Sequence, residues 1–156
     1  MTITLHRLSA PNDDAHDLVG ELSAELAGEG YDPSQQHGLS LDAIFVPSIQ
    51  FYVASVEGAA AGCGGVQFLD GFAELKRMYV RPAYRGRGVS SAIIRTLENE
   101  ATAKGLRTVR LETGDKQMAA MRFYAREGYS VCAAFPPYTE LDPFAIATSV
   151  FMEKRL

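Results

Sequence analysis

No stretch of the 156-residue chain approaches the roughly 20 consecutive apolar residues that a membrane span requires. The opening residues, Met1 to Arg7, lack the hydrophobic run and cleavage site of a secretion signal, so the protein is expected in the cytoplasm and away from membranes. A basic surplus is missing too: the formal net charge is -4, which argues against a general nucleic-acid binder. Cysteine is scarce. Cys63 and Cys132 fall in strand-like segments and, without a secretion signal, read as reduced, buried thiols with no chemistry of their own. His6, His16 and His37 are scattered without ligand spacing, so no metal is expected. Repeats, linkers and low-complexity tracts are also absent. What is left is an ordinary globular composition over residues 1–156, a single domain large enough to bury a core unaided.

The chain opens with an alternating strand, Ile3 to Leu8, and then a helix from Asp13 with the apolar stripe Leu18, Val19, Leu22 and Leu26, stopped by Gly28 and Gly30. Tyr31 to Pro47 reads as a loop with at most one helical turn. Gln50–Val56, Ala60–Leu69 and Ala73–Val80 are β-rich runs joined by Glu57-Gly58 and Asp70-Gly71, turn signals that predict consecutive antiparallel strands. From Gly88 the period becomes helical, with Ile93, Ile94, Leu97 and Ala101 on one side and Gly105 at the end. A strand at Thr108–Glu112, a helix at Gln117–Glu127, a strand at Ser130–Phe135, a loop through Pro143 and a last strand at Ser149–Lys154 follow. This alternation predicts an α/β fold with some parallel pairing.

One segment carries chemistry. Arg85-Gly86-Arg87-Gly88-Val89-Ser90 lies between a strand end at Val80 and a helix start. A helix start offers N–H groups without intrahelical partners and the positive end of the dipole, and glycines let a phosphate approach the backbone. Lys76, Arg77, Arg81, Arg85 and Arg87 place five cations within twelve residues of an otherwise acidic chain, pointing to an anionic ligand. The spacing is neither that of a P-loop nor that of the dinucleotide fingerprint, because Gly86-Arg87-Gly88 continues as Val89-Ser90-Ser91.

Arg85, Gly88 and Ser90 resemble the R/Q-x-x-G-x-G/A signature of the GCN5-related N-acetyltransferases, the GNAT superfamily, with serine at the last small position. The resemblance extends over roughly Val53 to Leu156. It implies a mixed, mostly antiparallel central sheet of about six or seven strands with helices on both faces, and acetyl-CoA as co-substrate. It further implies that Met78, Tyr79 and Val80 give backbone contacts to the pantetheine arm, while Gly86, Arg87, Gly88, Val89, Ser90 and Ser91, beside Arg85, hold the pyrophosphate. Gln117 to Tyr129 looks like the family's N-x-x-A-x-x-x-Y-x-x-x-G-F segment. Gln117 stands there in place of asparagine as an expected coenzyme contact.

Moving an acetyl group from a thioester to an amine needs a deprotonated nitrogen, a stabilised oxyanion and a proton for the leaving sulfur. A phenol suits the last role, and Tyr124 takes the family's acid position, although Ala120, Met121, Tyr124 and Ala125 also read as a core stripe. Glu112, at a strand end, and Glu74, on the incoming strand, compete as base. Glu112 is favoured, with a water relaying the proton. Either could instead form a surface ion pair with Lys76 or Arg110. The acceptor is expected to be a small-molecule primary amine held by Tyr31–Pro47 and Phe135–Pro143. Phe135, Tyr138, Glu140 and Asp142 would suit a cationic amine; Arg77 or Lys76 would suit a carboxylate. A peptide or protein amine, or a non-catalytic acyl-CoA-binding module, stays open. A homodimer through an exposed final strand near Val150 is a further expectation.

Overall fold

The computed structural model describes all of residues 1–156. In chain order it contains β1 (Ile3–Leu8), α1 (Asp13–Ala27), α2 (Leu41–Ile44), β2 (Ile49–Val56), β3 (Ala59–Phe68), β4 (Ala73–Val80), α3 (Val89–Ala103), β5 (Thr108–Gly114), α4 (Met118–Arg126), β6 (Ser130–Cys132), α5 (Pro143–Ile146) and β7 (Ser149–Arg155). Single 3₁₀ turns lie at Pro33–Gln35, Pro82–Tyr84 and Tyr138–Glu140. The two stretches read as loops therefore each carry a 3₁₀ turn and a four-residue helix. Asp32 and Asp142 side chains cap these short elements by accepting from Ser34 and Phe144 N–H.

All seven strands form one sheet, in the order β1-β2-β3-β4-β5-β7-β6. The predicted hairpins are present: Glu57 and Gly58 both take positive φ between β2 and β3, as a tight turn matching strand twist demands. Only β4 and β5 run parallel, joined by the α3 crossover. The last strand is not exposed as expected. β7 lies between β5 and β6, pairing with both, so it is unavailable to a partner; the edges are β1 and β6. The strand predicted at Ser130–Phe135 ends at Cys132, because Phe135 turns inward against Phe72, Tyr138 and Phe151.

Helices cover both faces. On one, Val89, Ile93, Ile94, Leu97 and Ala101 of α3 pack with Tyr124 of α4 against Leu75, Val80, Val109 and Leu111. On the other, Leu18 and Val19 of α1 and Ile44 of α2 pack against Phe51, Val53, Cys63 and Tyr79. Side chains this buried anchor each layer at ~1.5–3 kcal/mol apiece. The helix α3 lies especially close to β3: a Cβ on Gly64 would meet Met78 Sδ at 2.6 Å and Ile93 Cγ2 at 2.7 Å. Burial pushes the Cys63 thiol up to about 12, leaving it inert, while Cys132 is half-buried rather than buried.

Candidate active site

The site begins with an interrupted strand pair. β4 and β5 register only at Ala73↔Val109 and Glu74↔Arg110, after which they part into a wedge. Between Lys76 and Tyr79, β4 has one residue more than the facing stretch of β3 from Gly65 to Cys63, a bulge in which Arg77 adopts φ 53°. This resets the alternation of side chains. Before the bulge Leu75 faces α3; after it Met78 and Val80 do, and Tyr79 faces α1. The margin of β4 toward β5 is left without a strand beyond Glu74, an open edge suited to an extended, peptide-like ligand.

Two cavities flank this wedge. One, of about 450 Å³, is lined by Met78, Tyr79, Val80, Arg85, Gly86, Gly88, Val89, Ser90, Ser91 and Gln117, ten of the eleven residues expected to meet the coenzyme. At its end the helix α3 has no side-chain cap, and its first backbone bond is from Ala92 N–H to Gly88. The amides of Val89, Ser90 and Ser91 thus point into space at the positive end of a four-turn helix. Gly86 and Gly88 have φ 75° and 84°, and a Cβ on either would touch nothing, so the open space above this turn is large enough for a phosphate. Gln117 Nε2 is buried with no hydrogen-bond partner. An orphaned donor here fits the carbonyl-rich arm of an acyl-CoA. Tyr84, Ala119, Phe123 and Glu127 also line it; as ordinary residues of a turn and a helix face they carried no sequence signal.

The five clustered cations do not act as one patch. Arg81 pairs with Glu21 at 2.8 Å, and Arg85 with Glu25 at 3.0 Å while its Nε donates to the Val80 carbonyl. Lys76 pairs with Glu74, and Arg77 bonds to Ser23 and the Val19 carbonyl. Strand alternation and the bulge send neighbours in sequence to different faces. Arg87 alone is exposed without an ion pair, beside the cavity rather than in its lining. Arg87→Ala is therefore expected to raise the Kd for coenzyme A by about threefold to tenfold, in calorimetry at low salt, without lowering the melting temperature.

The second cavity, about 210 Å³, holds both candidate bases. Glu74 is 1% exposed and engaged: Tyr138 O–H donates to its Oε2 at 2.6 Å and Lys76 Nζ lies 3.0 Å away. This is the ion pair with Lys76 anticipated from the sequence, but internal rather than at the surface. Arg110 instead pairs with Glu153. Glu112 is half-buried and accepts only from Ser149 Oγ, at 2.7 Å. Burial pushes its carboxyl above the ordinary carboxylate range, with nearby Glu74 adding to the rise and Ser149 opposing it.

The wall of this cavity formed by Gln35–His37 was not legible from sequence. Gln35 Nε2 donates to the Phe144 carbonyl at 3.0 Å and His37 Nε2 donates to that of Ala145 at 2.7 Å, tying the two variable segments together. His37, read from the sequence only as lacking metal-ligand spacing, lines the cavity, edge-on to Tyr138. Glu140 and Asp142 are exposed and outside it, and Phe135 is core; of the four residues expected to hold a cationic amine, only Tyr138 reaches the cavity.

Tyr124 lies where the cavities meet, with Met78, Gln117, Ala120 and Leu22 also common to both. It is also a core residue, 8% exposed, so the two sequence readings are compatible. Five of the seven tyrosines donate their hydroxyls to carboxylates, whereas Tyr124 O–H bonds to no protein group. Burial pushes its phenol well above the usual value, so the proton is present throughout the neutral range.

The comparisons with known proteins agree with this geometry. The Acetyltransferase (GNAT) family matches residues 13–129. The IAA acetyltransferase of Azospirillum brasilense is 35% identical over 156 residues, covering 99% of this chain and 98% of that protein. A crystal structure described as an acyl-CoA N-acyltransferase, from Klebsiella pneumoniae, is 34% identical and superposes with TM-score 0.77 over 99% of this chain and 98% of its own. The PaiA N-acetyltransferase of Thermoplasma acidophilum, solved with coenzyme A, shares the fold at 20% identity, TM-score 0.76 and full coverage of both chains. The wedge in the sheet, the uncapped helix at its mouth and these relatives lead to one conclusion: the chain belongs to the GNAT acetyltransferase family and is an acyl-CoA-dependent N-acyltransferase.

Proposed function

We propose that the enzyme transfers the acetyl group of acetyl-CoA directly to a primary amine of a small molecule, with both substrates bound at once. The observation that carries this reading is the meeting of two cavities at Tyr124. The larger would take the coenzyme, its pyrophosphate on the amides of residues 86–91, its arm along Met78–Val80 and Gln117. The smaller, about 210 Å³ and walled on one side by Gln35–His37, which are tied to Phe144–Ala145, favours a small acceptor over a protein chain. The relatives' names favour acetyl among acyl groups.

In this arrangement Glu112 removes a proton from the bound ammonium through a water, and the freed nitrogen attacks the thioester carbonyl carbon. The C–N bond forms and the C–S bond breaks. Tyr124 delivers its proton to the departing sulfur, and the second proton lost by the nitrogen as the amide forms restores it. Holding both reactants in register contributes more than either proton transfer alone. Glu74 serves Lys76 and Tyr138, so it shapes the wall rather than acting as base.

The test is thiol release from acetyl-CoA with amino acids, polyamines, aminoglycosides and peptides offered in turn. Release that depends on a small amine supports the proposal; tight coenzyme binding with no release from any acceptor would show a binding module instead.

A further inference from the structure

Two cations line the acceptor cavity, and the protein answers only one of them. Lys76 Nζ lies 3.0 Å from Glu74 and 3.3 Å from the Tyr138 hydroxyl, so its charge is compensated within the wall. Arg77 has no carboxylate within ion-pair distance. Its Nη2 donates to the Val19 carbonyl and to Ser23 Oγ, both uncharged, and its Nε is buried without any partner. Arg81, Arg85, Arg110 and Lys154, all more peripheral to the cavity, each face a carboxylate. A half-buried guanidinium without an anion is unfavourable, and an unmatched buried donor adds to the penalty.

The backbone is also shaped around this side chain. Arg77 occupies the bulge at φ 53°, a left-handed conformation that a non-glycine residue adopts only against steric resistance. Gly38 packs directly against the guanidinium, so close that any Cβ there would overlap Arg77 Nη1. Burial draws the guanidinium pKa below its usual value, consistent with a charge lacking a counter-ion.

We propose that Arg77 receives a carboxylate of the acceptor, which makes the acceptor an amino acid or a closely similar amino-carboxylate whose amine faces Glu112. This rests on the N-acyltransferase reading of the same cavity and narrows its substrate. Within the lining, Glu74 and Lys76 cancel. What is left is one basic carboxylate, Glu112, and one uncompensated cation, Arg77, the complement of a zwitterion. A polyamine would set like charge against Arg77, and a simple amine would leave it unanswered. Leu22, Leu26 and Leu39 supply an apolar wall for a side chain.

The experiment uses the full chain, acetyl-CoA and matched acceptors that differ only at the carboxyl group: each common amino acid, its C-terminal amide and its decarboxylated amine. At least one free amino acid is expected to exceed its own amide and decarboxylated form by about 10- to 100-fold in kcat/KM. Arg77→Gln should shrink that ratio toward one, chiefly through KM for the acid, and Arg77→Lys should recover part of it. Wild-type enzyme that acetylates the amides or decarboxylated amines as well as the acids overturns this proposal while leaving the transferase reading intact. Equal losses on acid and amide in Arg77→Gln, with no change in their ratio, also overturn it by giving Arg77 a structural role. Absence of thiol release with every amine despite coenzyme binding overturns both.

Discussion

Tyr124→Phe is expected to lower kcat by about 10²–10⁴-fold, with the Kd for coenzyme A within about twofold of wild type. The substitution removes one oxygen that makes no protein hydrogen bond, so the fold loses nothing it uses. Tyr124 keeps its apolar role in either form, packed among Tyr129, Phe123 and the α3 face. What disappears is the proton at the junction of the cavities. Because burial alone raises the phenol above its usual value, no alkaline limb from Tyr124 is expected below pH 10 in the wild-type rate profile. Stopped-flow or steady-state kinetics with calorimetry separate the two readouts. A variant with full kcat would remove Tyr124 as acid and point to water as the donor.

The parts of this site that sequence made legible are those built from contiguous residues. The turn at Gly86–Gly88 needs only its glycines and the helix behind it, and the hairpins need only Glu57-Gly58 and Asp70-Gly71. Tyr124 was readable because a helical period and a family spacing fall on the same stretch. Long-range choices were not readable. The insertion of β7 between β5 and β6 depends on Phe151 finding Phe135 and Tyr138, which local alternation cannot express. The bulge at Arg77 was equally hidden, since Ala73–Val80 reads as an ordinary strand. That single extra residue decides where the cations go, sending Lys76 to Glu74 and Arg77 to the Val19 carbonyl and Ser23. The partners Glu21 and Glu25, one turn apart on α1, hold Arg81 and Arg85 for reasons that appear only once α1 lies across β4.

Glu112→Gln is expected to lower kcat/KM by about 10²–10⁴-fold and, above the carboxyl's own pKa, to raise the melting temperature. Both effects come from one cause. Burial and neighbouring Glu74 push the Glu112 carboxyl up, so the fold favours its protonated form. A group raised in the folded state contributes stability below its unfolded pKa, and that contribution is lost as pH rises through the folded value. At neutral pH the wild-type enzyme thus carries a charge its surroundings disfavour, and in the proposed mechanism this charge takes the proton from the amine. Glutamine keeps the shape and still accepts from Ser149 Oγ, so the strand pair β5–β7 is undisturbed. Melting curves of the two proteins should converge toward pH 4 and separate in favour of the variant as pH increases, while the acid limb of the wild-type kcat/KM profile, set above the ordinary carboxylate range, vanishes in the variant. A destabilised variant at neutral pH would mean that Glu112 is held by an interaction stronger than its desolvation. Unaltered kinetics would transfer the base to Glu74, which would then have to leave Lys76 and Tyr138 to act.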